Sequence, residues 1–195
     1  MKKTTNIALV GVGGQGILLA SEVISKAAML SSSDVKKSEV HGMAQRGGSV
    51  ISQVRIGEKV YSPLIPDGET DFLVSFELLE SLRYADSLVE GGMALINRQI
   101  ITPVTVSSGQ QPWIEDIEDH IERAFPNRKI IDALQMARDV GNIRTVNMIM
   151  TGVLSCLLGI QRQVWEQAVA ELVPTKHREV NINAFAAGRE VMVKG

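Results

Sequence analysis

The sequence has little cysteine, few aromatic residues and no excess of charge of either sign. Its 195 residues include one Cys, 4% aromatics, and 20 Lys+Arg against 22 Asp+Glu, which leaves a formal net charge of −2. Cys156 alone can form no intramolecular disulfide and cannot supply the set of thiolates that holds an iron–sulfur cluster. We therefore expect a cytoplasmic chain without a cluster of its own.

The same absences exclude several classes of partner. The chain has no excess of basic residues that could neutralise the phosphates of a nucleic acid and release their counterions. We therefore expect no nucleic-acid partner. Residues 146–160 form the most apolar later stretch, which is shorter than the roughly 20 residues that span a bilayer, and we expect no membrane partner. The three histidines and one cysteine show no metal-ligand spacing, so we predict no metal. The sequence has no G-x-S-x-G elbow, and no His or Lys lies near Cys156 along the chain, so we predict no catalytic residue.

The apolar residues that are present predict an α/β fold. Residues 7–10 form a short continuous apolar run followed by glycines, and residues 17–30 then carry apolar side chains at helical spacing. Residues 72–76 and 93–96 are further buried-strand runs, and the last third is helical in pattern. Since neither a repeat nor a linker divides the chain, we predict a single domain over residues 1–195, with a Rossmann-like, mostly parallel sheet and a helical C-terminal portion.

Three local features give more specific expectations. Residues 34–40 predict a polar second strand, and residues 49–56 predict a strand that turns at 57–59 and pairs with 60–62 in a hairpin. Residues 77–89 predict a helix, with Gly91-Gly92 as its left-handed C-terminal cap.

The first glycine motif is Gly11-Val12-Gly13-Gly14-Gln15-Gly16, which fits G-x-G-x-x-G between a predicted strand and a predicted helix. In this setting glycines permit a tight turn, close approach of a phosphate and close helix–strand packing, and the helix N-terminus attracts an anion. We therefore predict a cofactor-binding turn formed by Gly11, Gly13, Gly14, Gln15 and Gly16. The alternative is that these glycines serve packing alone.

The second glycine motif lies in residues 38–49. It combines glycines with an imidazole, an amide and a guanidinium, chemistry suited to recognising anions and amides. The predicted substrate or partner residues here are Glu39, His41, Gly42, Gln45, Arg46, Gly47 and Gly48. A bulged turn with solvated side chains is the alternative, and Glu39 is also the nearest acidic candidate for the ribose of NAD.

Together the two motifs resemble the gamma-type subunit of 2-oxoacid:ferredoxin oxidoreductases, a family that includes the small subunit of indolepyruvate ferredoxin oxidoreductase. The segments Tyr61-Ser62-Pro63-Leu64-Ile65-Pro66 and Asp71-Phe72-Leu73, with Gly91-Gly92, look like the indolepyruvate type in particular. The resemblance runs from about residue 7 to residue 97 and continues more weakly through the helical part.

The resemblance implies a subunit of an enzyme that converts an aryl pyruvate and coenzyme A into an acyl-CoA, carbon dioxide and reduced ferredoxin. It also implies that thiamine diphosphate and the iron–sulfur clusters lie on a large catalytic alpha subunit, that ferredoxin docks on the complex, and that this chain is inactive alone. Coenzyme A is the candidate ligand of the chain itself. Two other hypotheses stay open: an independent NAD(P)-binding oxidoreductase, and an assembly subunit that binds no ligand.

Overall fold

The chain folds around a six-stranded sheet in the order β2-β3-β1-β4-β5-β6. A computed structural model describes residues 4–41, 48–110 and 112–193. The strands are β1 (Thr5–Val12), β2 (Asp34–His41), β3 (Ser49–Gly57), β4 (Thr70–Ser75), β5 (Leu88–Asn97) and β6 (Arg128–Ile131). β3 pairs antiparallel with both β1 and β2, while β1, β4, β5 and β6 pair in parallel, so the predicted mostly parallel sheet is confirmed.

Eight α-helices accompany the sheet in the described part of the chain. They are α1 (Ile17–Leu30), α2 (Leu78–Arg83), α3 (Val104–Ser107), α4 (Ile117–Ala124), α5 (Ala133–Asp139), α6 (Val146–Ser155), α7 (Arg162–Leu172) and α8 (Thr175–Val193). Short 3₁₀ turns at Ala85–Ser87 and Ile143–Thr145 precede β5 and α6. The last three helices confirm the predicted helical C-terminal portion.

The two faces of the sheet are buried under different helices, because successive residues of a strand point to opposite faces. Ile7 and Leu9 of β1 belong to a large core with α1, α5, α6, α7 and α8. Ala8 and Val10 belong to a smaller core with α2 and α4. The sheet is therefore the middle layer of three, and the centre of each of its faces is buried.

The predicted hairpin at 57–59 is wrong. β3 ends at Gly57, and its partners on both sides are β1 and β2 rather than residues 60–62. The segment that follows is held by side chains: Arg55 Nη1 donates to the carbonyl oxygens of Ser62 and Leu64, at 3.1 and 2.9 Å. A strand already paired along both edges has no edge left for a hairpin partner.

The predicted helix over residues 77–89 is too long, and the prediction that Gly91-Gly92 caps it is wrong. α2 ends at Arg83, and Gly91 and Gly92 lie within β5, where Gly91 has φ +76°. The parallel register that pairs Thr70 with Leu88 and then Phe72 with Met93 is irregular at this point. The glycine pair therefore accommodates an irregularity in a strand rather than the end of a helix.

Candidate functional site

The first glycine motif forms the turn between β1 and α1, at the carboxyl edge of the sheet. Gly14 and Gly16 have φ of +103° and +78°, a region that glycine enters without strain. α1 begins at Ile17, and the N–H groups of its first turn have no acceptor within the helix. Gly14 is exposed, and a Cβ added there would meet no described atom within 4 Å. The outer side of the turn can therefore approach a ligand closely, and the helix start favours an anion.

Gln15 faces the interior of this turn. Its Oε1 accepts the Val12 N–H at 2.7 Å, and its Nε2 donates to the Phe76 carbonyl oxygen at 2.9 Å. A Cβ on Gly11 would lie 2.6 Å from Gln15 Oε1 and 2.9 Å from Phe76 Cβ, so the glycine leaves room for both side chains. The glycine near the end of β1 thus makes room for the Gln15 carboxamide beneath the turn.

Gly16 is close to a helix rather than to a strand. A Cβ on Gly16 would lie 2.6 Å from Asn147 Nδ2, which donates to the Gly16 carbonyl oxygen at 3.2 Å. Asn147 is 3% exposed and lies in α6, so its buried amide is satisfied by the backbone of the glycine turn. Gly16 is predicted to allow close packing of a helix on a strand, but the close contact at Gly16 is with α6.

The two glycine motifs meet at this edge. The Gly13 N–H donates to the Gly48 carbonyl oxygen at 2.9 Å, which joins the turn after β1 to the residue before β3. Ser49 follows, and its Oγ donates to Glu80 Oε2 at 2.5 Å and lies 3.3 Å from the Tyr84 hydroxyl. The end of the second motif is thereby fixed between the first motif and α2.

The rest of the second motif lies mostly outside the described residues. Gly42, Gln45, Arg46 and Gly47 fall in the segment that the structure leaves out, and His41 is described only by its backbone, at the end of β2. Since β2 and β3 flank that segment, its two ends start from the same edge as the first turn. The predicted roles of these residues stay predictions.

Glu39 lies apart from the glycine turn. Its carboxylate pairs with Lys37 Nζ at 2.7 Å and lies 3.4 Å from Ser21 Oγ of α1. β3 separates β2 from β1, so β2 is displaced by a strand spacing, about 4.8 Å, from the place next to β1. In NAD-binding folds the ribose-binding acid follows the strand adjacent to β1. The strand order thus disfavours the NAD(P) alternative.

Sequence reasoning missed a buried acidic residue at the same edge. Glu77 is 1% exposed, and its carboxylate accepts the N–H groups of Glu80 and Ile101 at 2.6 and 3.2 Å. Burial raises the pKa of Glu77 above its ordinary value, although these N–H donors oppose the shift. The signal available in the sequence was its position directly after the apolar run 72–76, where parallel strands place functional side chains.

Residues 4–41, 48–110 and 112–193 contain neither a metal-binding cluster nor a membrane-spanning helix. No group of three or more His, Cys, Asp or Glu side chains in these ranges could hold a metal ion. Over the same ranges, helices long and apolar enough to cross a bilayer are absent. Cys156 is half-buried, with its Sγ 3.7 Å from the carbonyl oxygens of Gly152 and Arg189.

Comparison with known families assigns the chain. Residues 6–191 match the family described as pyruvate ferredoxin/flavodoxin oxidoreductase. This chain belongs to that family. A relative from Thermococcus kodakarensis, indolepyruvate oxidoreductase subunit IorB, is 39% identical over 191 residues, which cover 95% of each chain. The resemblance stated from the two motifs is confirmed.

Solved structures agree with the family in fold. The gamma subunit of a keto/oxoacid ferredoxin oxidoreductase from Geobacter sulfurreducens has a TM-score of 0.74 at 24% identity, covering 98% of this chain and 99% of that one. A 2-oxoglutarate:ferredoxin oxidoreductase from Magnetococcus marinus has a TM-score of 0.77 at 19% identity. It matches 100% of this chain with 32% of its own length, so this fold also occurs as one part of a longer chain.

Proposed function

We propose that this chain is the small subunit of an indolepyruvate-type 2-oxoacid:ferredoxin oxidoreductase, and that its glycine turn binds coenzyme A. Full-length similarity to an indolepyruvate oxidoreductase subunit supports the enzyme class. The Magnetococcus marinus enzyme, which contains this fold as about a third of its chain, is described with coenzyme A and succinyl-CoA bound, and this supports coenzyme A as a ligand of the assembled enzyme. The chemistry would join the acyl group of an aryl pyruvate to coenzyme A, release carbon dioxide and pass electrons to ferredoxin.

The observation that carries the proposal is the hydrogen bond between Gly13 and Gly48, which puts the two motifs in contact. The open side of the turn at Gly14 and the start of α1 suit a phosphate of coenzyme A. Arg46 is the cation of the second motif, and its planar guanidinium suits a phosphate or a carboxylate of the partner. We assign Gly11, Gly13, Gly14 and Gly16 to the ligand turn, and the segment from Glu39 to Gly48 to the surface that meets the large subunit.

The large alpha subunit would then hold thiamine diphosphate and the iron–sulfur clusters, and it would pass electrons to ferredoxin. The lone thiol of this chain agrees with that division, since a cluster needs several thiolates. We further propose that the complex works in the cytoplasm and that this chain has no turnover alone.

The test is reconstitution with the large subunit, followed by viologen reduction with indolepyruvate and coenzyme A. We expect activity only when both subunits are present, and an isolated chain that is colourless. Turnover of a 2-oxoacid by the isolated chain would overturn the proposed division of labour. NADH binding to the isolated chain, measured by fluorescence titration, would instead favour the NAD(P) alternative.

A matched pair of variants tests the role of the turn in this complex. Gly14→Asp places a carboxylate at the open side of the turn, where it would repel a phosphate, so we expect the KM for coenzyme A to rise at least tenfold. Gly68→Asp is the control, since Gly68 has φ +71° and equal space among the described atoms but lies before β4, at the opposite edge of the sheet. Equal KM values in both variants would favour the assembly subunit that binds no ligand.

A further inference from the structure

We propose that Gln15 is a positioning residue, whose carboxamide holds the first glycine motif in the shape that coenzyme A requires. The inference rests on the proposed function, because it concerns the same turn. In the general G-x-G-x-x-G fingerprint the position of Gln15 is free to vary, so the motif predicts that Gln15 belongs to the turn without saying what its side chain does. The structure assigns one through the contacts of both amide atoms.

The Gln15 carboxamide bridges two strands that share no other side-chain link at this point among the described contacts. Oε1 takes the N–H of Val12, the last residue of β1, and Nε2 reaches the carbonyl oxygen of Phe76, the residue after β4. Val12 is 7% exposed and Phe76 is fully buried, so water has little access to either partner. The bridge therefore fixes where the chain leaves β1.

A second buried amide extends this bridge across the sheet. Asn97 Nδ2 donates to the same Phe76 carbonyl oxygen at 3.1 Å, and Asn97 Oδ1 accepts the Ala133 N–H at 3.1 Å. Asn97 is fully buried at the end of β5, and Ala133 begins α5. Two carboxamides thus connect the ends of β1, β4 and β5 with the start of α5, all at the edge that carries the glycine motifs.

The bridge affects the ligand turn because it decides which backbone N–H groups remain available to a ligand. The Val12 N–H is taken by Gln15 and the Gly13 N–H by Gly48, so both point away from a ligand. A phosphate is left with the N–H groups of Gly14 and of the first turn of α1. If the carboxamide is lost, the Val12 N–H becomes an unsatisfied buried donor, and the turn is expected to shift to satisfy it.

A positioning role and a purely structural role differ in what they change. A structural amide lowers the melting temperature when it is removed and leaves substrate binding alone. A positioning amide also raises the KM for the ligand that the turn holds, while kcat and the KM for the 2-oxoacid stay the same. The KM for coenzyme A in the assembled enzyme is therefore the deciding quantity.

The experiment compares Gln15→Met with Gln53→Met in the complex with the large subunit. Methionine has nearly the shape of glutamine without its hydrogen-bonding atoms. Gln53 is half-buried like Gln15, and its Oε1 accepts the Ile65 N–H at 3.0 Å, but it lies in the middle of β3 and outside both motifs. We expect a fivefold or greater rise in the KM for coenzyme A in Gln15→Met only, with kcat and the KM for indolepyruvate within twofold of wild type.

A second variant disturbs the Gln15 carboxamide without changing Gln15 itself. Gly11→Ala would bring a Cβ to 2.6 Å from Gln15 Oε1 and to 2.9 Å from Phe76 Cβ, so it crowds the amide and the residue that the amide bonds, without removing the amide. We expect the same selective rise in the KM for coenzyme A. An unchanged KM for coenzyme A in both variants, or a Gln15→Met chain that does not fold, would overturn the positioning role. If Gly14→Asp still raises that KM, the proposed function survives such a result, whereas an unchanged KM in Gly14→Asp removes the ligand role of the turn itself.

Discussion

Glycines serve two unrelated purposes in this chain, one at the turn after β1 and one where α6 crosses α8. At the turn, Gly14 and Gly16 have left-handed backbone conformations, and Gly14 borders open space among the described atoms. At the crossing, Gly152 and Gly188 are buried within helices and let the two backbones touch. A Cβ on Gly152 would collide with the Phe185 carbonyl oxygen, and one on Gly188 with the Ile149 carbonyl oxygen.

Glycine content alone therefore does not locate a ligand site in this chain. Glycine inside a helix costs about 1 kcal/mol relative to alanine, so a buried helical glycine needs a packing reason. The helix crossing supplies that reason through backbone contact, whereas the turn needs conformational freedom. Substitutions should therefore separate the two sets, with stability lost at the crossing and ligand binding lost at the turn.

The largest expected effect belongs to Gly188→Ala. Its Cβ has a backbone carbonyl as neighbour, which cannot rotate away as a side chain could, so we expect a loss of about 3 kcal/mol or more in the free energy of unfolding. For a chain of this size that lowers the melting temperature by about 6–12 °C. Thermal melts monitored by circular dichroism provide the measurement, and Gly152→Ala should behave alike.

Gly14→Ala is the control for this prediction. It adds the same methyl group at a position with open space, and its φ of +103° costs about 1–2 kcal/mol for a residue with a Cβ. If the Gly188→Ala protein melts at or above the temperature of Gly14→Ala, the helix crossing tolerates a methyl group and the packing reason given for Gly188 is wrong.

A smaller effect should follow from the buried carboxyl at the same edge as the turn. Burial raises the pKa of Glu77 above its ordinary 4.5, so the folded chain holds this proton more tightly than the unfolded chain does. The resulting contribution to stability is fully present below pH 4.5 and is lost as the pH rises through the raised pKa. The free energy of unfolding of wild type relative to Glu77→Gln should therefore fall as the pH rises above 4.5.

Urea denaturation of wild type and Glu77→Gln at a series of pH values measures this difference. The glutamine variant cannot ionise at position 77, so it serves as the internal reference for all other titrating groups. A difference between the two proteins that stays constant or grows with pH would show that Glu77 is ionised at no cost in the folded chain.

The features that could be predicted from the sequence are those that local patterns encode. The apolar run 7–10, the glycines and the helical spacing over 17–30 define β1, its turn and α1, and all three are found. The strand runs 72–76 and 93–96 also locate β4 and β5. Each depends on residues near one another in the chain, where side-chain period and glycine conformation decide the outcome.

The features that could not be predicted depend on contacts between distant segments. The insertion of β3 between β1 and β2 is decided by pairing across the sheet, which no turn signal near Gly57 reveals. The bond from Gln15 to Phe76 joins residues 61 positions apart, and that from Asn147 to Gly16 joins residues 131 apart. The candidate turn was visible in the sequence, but the groups that shape it were not.

The central claim is that the edge carrying both glycine motifs faces coenzyme A and the large subunit. Hydrogen exchange measured by mass spectrometry on the isolated chain and on the assembled complex, each with and without coenzyme A, tests it most directly. We predict slower exchange in peptides covering residues 12–19 and 48–50 on assembly and again with coenzyme A, with no change in peptides from α4. Unchanged exchange at both glycine motifs, with new protection confined to other surfaces, would contradict the account.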